Sequence, residues 1–132
     1  MDAMLKEHLT LLNNKIIHFQ QGHIPSDLVV LKKLFDLLEI HFRGIRQPSF
    51  YSEALKVTLS NLNYLTRQHF NCTVYELMQG RIHEEAEKLL KYSTLTIKEI
   101  TFELGMTDPS YFCKCFRKIT GLSPKRFREG VC

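Results

Sequence analysis

The sequence lacks any hydrophobic run long enough to cross a membrane. Its longest apolar stretch is Leu28-Val29-Val30-Leu31, whereas a membrane-spanning helix needs about 20 such residues. The N-terminus also lacks the basic region and apolar core of a secretory signal. The chain has 132 residues, 44% hydrophobic and 24% charged, which is typical of one folded domain or two small ones. We therefore expect a cytoplasmic protein that has no membrane partner.

Motifs of enzymes and metal sites are also missing. There is no P-loop, no G-x-G-x-x-G and no C-x-x-C. The cysteines have no histidines at zinc-binding spacing, and we interpret them as free thiols in a reducing compartment: Cys72, Cys113, Cys115 and Cys132. The six histidines lack partners at catalytic spacing. We expect no enzymatic activity, no metal and no cofactor.

Acidic residues are absent from residues 109–128, although the whole chain has a formal net charge of only +4. This segment holds six basic residues: Lys114, Arg117, Lys118, Lys125, Arg126 and Arg128. Residues 81–103, by contrast, are rich in glutamate. Such clustering predicts a local electropositive face for an anionic partner, and the alternative is an ordinary solvated surface.

Hydrophobic residues at helical spacing are abundant, and no segment shows a competing strand pattern. They form two stripes, Leu5, Leu9, Leu12, Ile16 and Phe19 in the first and Leu28, Leu31, Phe35, Leu38 and Phe42 in the second. Gly22 is a stop signal, and Pro25-Ser26-Asp27 is a start signal. The pattern predicts an antiparallel helical hairpin within residues 1–47. Because the stripes are close to a heptad repeat, pairing of two chains into a homodimer through this segment is the alternative.

Further helices are predicted after the hairpin. Residues 45–50 have the composition of a connector, and a short helix is expected over about Tyr51 to Leu55. Thr58 is the expected N-cap of a helix that runs to about His69. A longer helix is expected from about Thr73 to Lys91, with an apolar side that includes Val74, Leu77, Met78, Ile82, Ala86, Leu89 and Leu90.

The last third of the chain predicts a helix-turn-helix. Ile97, Ile100 and Leu104 share one face of a short helix, and Gly105 is suited to the left-handed position that follows it. Asp108 is then the expected N-cap of a second helix, with Pro109 at its first position. A helix, a tight glycine turn and a second helix are the pattern of this DNA-binding motif.

The second helix of this motif divides into an apolar and a basic side. Helical spacing predicts that Phe112, Cys115, Phe116 and Ile119 are buried and that Lys114, Arg117 and Lys118 are exposed on the opposite side. The small or polar residues near its start are Pro109, Ser110 and Cys113. Recognition helices need such an arrangement, since small residues reach base edges while cations bind phosphates. Ser123-Pro124 begins another short helix, whose Lys125, Arg126 and Arg128 are expected to grip the DNA backbone around a buried Phe127.

A weak internal repeat at an offset of 50 residues relates the helix after Thr58 to this recognition helix. The matched pairs are Leu62 with Phe112, Arg67 with Arg117, Asn71 with Gly121, Thr73 with Ser123 and Leu77 with Phe127. The helix after Thr58 exposes Ser60, Asn61, Asn63, Tyr64, Arg67 and Gln68. Asn and Gln are suited to adenine, and Arg to guanine or phosphate. The alternative is chance similarity between two amphipathic helices.

Residues 51–129 resemble the DNA-binding region of the AraC/XylS family of bacterial transcription regulators. Residues 81–90, RIHEEAEKLL, resemble the family pattern R-(I/L)-x-x-x-A-x-x-L-L, and residues 96–106, TIKEITFELGM, resemble its first helix and turn. Residues 108–128, DPSYFCKCFRKITGLSPKRFR, resemble its signature S-Y-F-x-(R/K)-x-F-(K/R)-x-x-x-G-x-(S/T)-P-x-x-(Y/F)-R. Thr101, Met106 and Asn71 depart from the usual Ala, Phe and Gly, and Tyr64 stands where a basic residue is frequent.

The resemblance implies an all-α fold with two helix-turn-helix subdomains joined by a long linker helix. The DNA-binding domain would span residues 48–132, and residues 1–47 would be the hairpin or linker that ends a regulatory domain. By position, the resemblance implies base-reading roles for Ser60, Asn63 and Tyr64 in the first copy and for Pro109, Ser110, Cys113 and Lys114 in the second. It implies phosphate contacts for Arg67, Arg117 and Lys118.

The implied function is sequence-specific regulation of transcription. Two recognition helices, at about residues 58–69 and 108–120, would enter adjacent major-groove segments of double-stranded DNA. RNA polymerase is a candidate second partner. The alternative function is that of a small helical module that binds protein and not DNA, which the heptad-like stripes favour and the acid-free basic face does not explain.

Overall fold

The computed structural model describes residues 4–18 and 24–130, and every regular element in these ranges is a helix. The helices are α1 (Met4–His18), α2 (Ser26–His41), α3 (Pro48–Ala54), α4 (Leu59–Phe70), α5 (Val74–Tyr92), α6 (Ile97–Glu103), α7 (Pro109–Thr120) and α8 (Pro124–Glu129). Within these ranges no helix is both long and apolar enough to cross a membrane. The all-α prediction is confirmed. The expected positions of Phe19, Gly22 and Cys132 lie outside the described residues.

The chain divides into two compact units, one ending at Arg81 and the other beginning at Ile82. The first unit contains α1 to α4 and the start of α5, and the second contains the rest of α5 and α6 to α8. Helix α5 is therefore continuous across the boundary. This confirms the long helix that was expected to join the two helix-turn-helix subdomains.

The first unit is held together by one core to which the N-terminal hairpin contributes. Leu12 of α1 and Leu31 and Leu38 of α2 are almost completely buried, together with Leu62 of α4 and Leu77 of α5. The apolar stripes of the hairpin therefore pack within this chain. Burial of this kind contributes about 1.5–3 kcal/mol per large aliphatic side chain, which makes the hairpin part of the unit's stability.

In the first unit the sequence predicts the start of one helix correctly and misplaces the start of another. The start of α4 is as expected, since Thr58 Oγ1 accepts a hydrogen bond from the Asn61 N–H at 3.1 Å. The prediction of a connector over residues 45–50 is wrong in its second half, because α3 already begins at Pro48. A backbone N–H at the first helical position has no partner within the helix, so proline, which lacks this group, fits there. Pro48 therefore marks the start of α3 and not only the end of the preceding helix.

The second unit follows the predicted order closely. Thr96 and Glu99 form a reciprocal capping box at the start of α6. Hydrogen bonding of the Glu99 carboxyl to the backbone and the side chain of Thr96 lowers the pKa of that carboxyl. Gly105 has φ +78° in the turn that follows α6, which is the left-handed conformation expected there. Ser123 caps α8 by accepting from the Arg126 N–H at 3.2 Å.

Candidate nucleic-acid interface

Helix α7 is oriented by aromatic packing on one side. The Asp108 carboxylate accepts from the Ser110 N–H at 3.0 Å and starts the helix, with Pro109 in its first turn. Phe112 and Phe116 are buried, 3% and 2% exposed. The Phe116 ring lies 5.1 Å from His83 and 5.2 Å from Phe127, measured between centroids. These contacts lock the rotation of α7 about its axis and so determine which residues face solvent.

The solvent side of α7 is basic, as predicted. Lys114, Arg117 and Lys118 are exposed, and none of them forms an ion pair within residues 4–18 and 24–130. Ser110 is exposed and Pro109 is half-buried at the N-terminal end of the same helix. Lys125 and Arg126 of α8 are exposed too, and both lack a carboxylate partner in that part of the chain. This surface can attract and bind a polyanion.

The predicted apolar side of α7 is too wide. Ile119 is 39% exposed, and Cys115 is only half-buried, as is Cys113. The reason is that packing against α7 centres on Phe112 and Phe116, and the last turn extends beyond it. Phe127, expected to be buried, is likewise only half-buried.

Helix α4 presents a comparable surface in the first unit. Leu62, Leu65 and Phe70 face the core, and their burial turns the opposite side of the helix to solvent. Five predicted residues line one shallow concavity: Ser60, Asn63, Tyr64, Arg67 and Gln68. Asn61, the sixth, is exposed but does not line it. The structure thus brings together most of the residues predicted from the first copy.

The side chain of Asn63 forms a hydrogen bond to the backbone of α5 that the sequence does not predict. Its amide oxygen accepts a hydrogen bond from the Val74 N–H at 3.0 Å. Val74 is the first residue of α5, where backbone N–H groups have no partner within the helix. The oxygen of Asn63 therefore caps the linker helix, while its amide NH₂ takes no part in this cap.

The two copies agree in length and position. Helices α4 and α7 have 12 residues each at an offset of 50, and α3 and α6 have 7 residues each at an offset of 49. Both longer helices end in a left-handed residue, Asn71 at φ 58° and Gly121 at φ 80°. Asn tolerates this conformation better than most residues, which explains the departure at position 71. The internal repeat predicted from the sequence is therefore real.

Arg128 is not part of the basic surface, contrary to the expectation that it would grip DNA. Its guanidinium donates hydrogen bonds to backbone carbonyls at the end of α5 and in the segment after it, those of Leu89, Leu90, Ser93 and Leu95, at 2.5–3.2 Å. The last carbonyls of a helix lack partners within the helix, and a cation is favoured there. Arg128 therefore connects α8 to the end of the linker helix.

Residues suited to metal binding do not cluster in the part of the chain that the structure describes: no three His, Cys, Asp or Glu side chains come together there. Cys72 is buried, and burial, with a smaller contribution from Glu76, raises the pKa of its thiol to about 11. A thiol of this kind stays protonated at neutral pH and is a poor nucleophile.

A family model described as a helix-turn-helix domain matches residues 51–130. Among curated proteins, the chain is 44% identical over 94 residues to the "Uncharacterized HTH-type transcriptional regulator YijO" of Escherichia coli, covering 71% of this chain and 33% of that protein. It is 27% identical over 100 residues to the transcriptional activator RhaS of Escherichia fergusonii, covering 76% and 36%. It is 32% identical over 71 residues to the arabinose operon regulatory protein of Escherichia coli, covering 54% and 24%. The chain thus spans about a third or less of these relatives.

Solved structures show the same fold. The C-terminal domain of AraT, a response regulator from Geobacillus stearothermophilus, has a TM-score of 0.72 at 24% identity and covers 76% of this chain and 84% of that chain. The C-terminal domain of the two-component response regulator yesN from Fusobacterium nucleatum has a TM-score of 0.69 at 23% identity, covering 74% and 95%.

Proposed function

We propose that this chain, which belongs to the AraC-type helix-turn-helix family of DNA-binding transcription regulators, reads duplex DNA with α4 and α7 in successive major-groove segments. The observation that carries the proposal is the face of α7, where three exposed cations have no acidic neighbour on their own helix. Aromatic packing turns this face to solvent. An α-helix of this width fits the major groove of B-DNA.

In the second copy, we assign base contacts to the N-terminal half of α7. Ser110 and Lys114 supply donors to base edges, while Pro109 and Cys113 suit contact with thymine methyl groups or recognition of DNA shape. We assign phosphate contacts to four further cations, Arg117, Lys118, Lys125 and Arg126. These roles follow from exposure and charge, and they leave Arg128 as a structural residue.

In the first copy, base contacts are assigned to exposed side chains of α4. Ser60, Tyr64 and Gln68 line the concavity with Arg67, which is suited to a phosphate or guanine. Asn61 lies beside them at the start of the helix. Asn63 contributes through its NH₂, because its oxygen already accepts one hydrogen bond from α5. A bidentate contact to adenine would have to use the second lone pair of that oxygen.

The remaining assignments concern the hairpin and other partners. We propose that residues 1–47 are the tail of a regulatory domain and that residues 48–132 form the DNA-binding domain. RNA polymerase is a second proposed partner, and the protein is proposed to be cytoplasmic and without enzymatic activity. Self-association through residues 1–47 would use side chains outside the buried stripes, such as Leu11 and Ile17, which are 42% and 57% exposed.

The first experiment is selection of bound duplexes from a random DNA library at about 0.15 M salt, where non-specific binding is weak, typically 10⁻⁴–10⁻⁶ M. We expect enrichment of two elements about one helical turn apart. Enrichment of a single element would leave α7 as the only reader. Absence of enrichment, without a shift of any duplex, would contradict DNA binding and favour the protein-interaction module.

Single substitutions on α7 then separate base from phosphate contacts. Lys114→Ala should weaken binding to the selected duplex by about 1–3 kcal/mol and leave non-specific binding unchanged. Arg117→Ala should weaken binding to all duplexes and reduce the salt slope by about one. Lys98→Ala, an exposed lysine on α6, is the matched control and should change neither quantity. Equal effects of all three would remove α7 from the interface.

A further inference from the structure

The last turn of α4 is held from outside the helix-turn-helix by the N-terminal hairpin. The Phe70 ring lies 4.9 Å from His8 of α1 and 5.4 Å from Phe35 of α2, measured between centroids. Lys15 Nζ donates to His69 Nδ1 at 2.9 Å. The two residues at the end of the first recognition helix are therefore fixed by both helices of the hairpin.

A second connection fixes α5 to the hairpin. Arg81 donates two hydrogen bonds to the carboxylate of Glu39, Nε to Oε2 and Nη2 to Oε1, both at 2.8 Å. Its guanidinium also lies 4.2 Å from the centre of the Phe42 ring. A bidentate arginine–carboxylate pair fixes direction as well as distance, and the ring adds a cation–π contact. Because Asn63 joins α4 to the start of α5, this pair also constrains α4.

Both connections lie in the unit that ends at Arg81. The hairpin residues that form them come before residue 51, where the match to the family model begins. Helix α7 is packed by other means, through its own Phe116 against His83 and Phe127 of the second unit. The two recognition helices thus depend on different supports.

We infer that the α1–α2 hairpin positions the first recognition helix, with Lys15 and Glu39 as positioning residues, so that the hairpin controls occupancy of one DNA element and not of the other. The inference rests on the proposed function. Its physical reason is that the apparent affinity of a protein falls in proportion as the fraction in the binding-competent conformation falls. Any ligand or protein that displaced the hairpin would release the element read by α4 and leave the element read by α7.

The test uses the full chain with both contacts removed, Lys15→Met and Glu39→Gln together. The probes are the two-element duplex from the library selection and two derivatives in which either element is scrambled. Loss of a charge-assisted pair and one hydrogen bond should weaken binding to the two-element duplex about 3- to 10-fold. Affinity for the duplex that keeps only the α7 element should stay within about twofold, the range expected for distant sites.

The matched control is Lys6→Met with Asp36→Asn, on the same two helices. Lys6 is exposed, and Asp36 pairs with Lys32 one turn away, at 3.5 Å and with both side chains well exposed. Amide hydrogen exchange of α4 should increase in the first double variant and not in the control. The inference is overturned by equal weakening on both single-element duplexes, or by no weakening when the exchange of α4 has increased. If the wild-type chain selects no duplex, it is the proposed function that fails.

Discussion

The amide oxygen of Asn63 lies 3.0 Å from the backbone nitrogen of Val74 and accepts its hydrogen bond, so a residue of the first recognition helix caps the linker helix. The same start of α5 has a second cap, formed within the turn itself: Thr73 Oγ1 accepts from the Glu76 N–H, and Glu76 Oε1 accepts from the Thr73 N–H. Together these bonds provide acceptors for the backbone N–H groups of Thr73, Val74 and Glu76. The amide side chain of Asn63 thereby adds a direct bond between α4 and α5 to the core contacts that they share.

Substitution of Asn63 separates capping from base contact. Asn63→Ala should lower the free energy of unfolding by about 1 kcal/mol, because the Val74 N–H loses its acceptor. Asn63→Asp should preserve stability, since a carboxylate accepts the same bond and is favoured at a helix N-terminus. Urea denaturation checks both values. If Asn63→Asp costs as much as Asn63→Ala, the capping role is wrong.

The turn of the first copy contains a strained residue where the second copy has glycine. Lys56 has φ +59° and Gly105 has φ +78°, and both occupy the residue two positions after the last residue of the first helix of their motif. The left-handed conformation destabilises an ordinary residue by about 1–2 kcal/mol, and glycine avoids this strain. Part of the gain is offset because glycine has more conformational entropy to lose when the chain folds. Lys56→Gly should therefore stabilise the protein by about 0.5–1 kcal/mol.

The measurement for Lys56→Gly is the urea midpoint, which should rise while the m-value stays constant. Gly105→Ala is the reciprocal variant and should lower the midpoint by a comparable amount. A lower midpoint for Lys56→Gly would show that the lysine side chain contributes more than its backbone conformation costs.

The predictable parts of the structure are those that depend on interactions between residues a few positions apart in the sequence. Thr58 and Asp108 are predictable as caps because each accepts a hydrogen bond from a backbone N–H two or three residues ahead. The basic face of α7 followed from helical spacing alone. The start of α3 was missed because Pro48 is compatible with both the end of one helix and the beginning of another.

The parts that could not be predicted depend on partners far along the chain. The acceptors of Arg128 lie 33 to 39 residues away, and the donor to Asn63 lies 11 residues away across a turn. No periodicity marks such pairs, so both side chains read as ordinary polar residues of a DNA-binding surface. The predicted burial of Ile119 is wrong for a related reason. How far along α7 the packing extends depends on the residues that contact the helix, and helical spacing does not show them.

Arg128 should behave as a structural residue. Arg128→Lys keeps the charge, but one ammonium cannot replace a guanidinium that reaches four carbonyls, so unfolding of the second unit should become about 2–3 kcal/mol more favourable. The salt dependence of DNA binding should not change. Arg126→Gln is the matched comparison, with unchanged stability and a salt slope reduced by about one. A reduced slope for Arg128→Lys would return this residue to the DNA surface.

The contact between the hairpin and α4 should weaken in mild acid. Burial lowers the pKa of His8, with Glu7 opposing, and burial and then Lys15 lower the pKa of His69, with Asp27 opposing. In the unfolded chain a histidine has a pKa of about 6.5, which is above the pKa of His8 or His69 in the folded protein. The unfolded state therefore binds protons first as the pH falls below about 6.5, and the folded state loses stability in that range. Partial exposure keeps the slope below the ~1.4 kcal/mol per pH unit of one full proton.

Amide exchange of α4 between pH 7.5 and 5.5, corrected for the intrinsic pH dependence of exchange, measures this loss directly. The wild-type opening free energy should fall over that interval, and the double variant His8→Phe with His69→Gln should show a smaller fall. Gln preserves an acceptor for Lys15 without titrating, and Phe preserves the ring against Phe70. Identical pH dependence in the two proteins would place the titrating groups elsewhere in the chain. A fall confined to α4 and absent from α7 would also agree with separate supports for the two recognition helices.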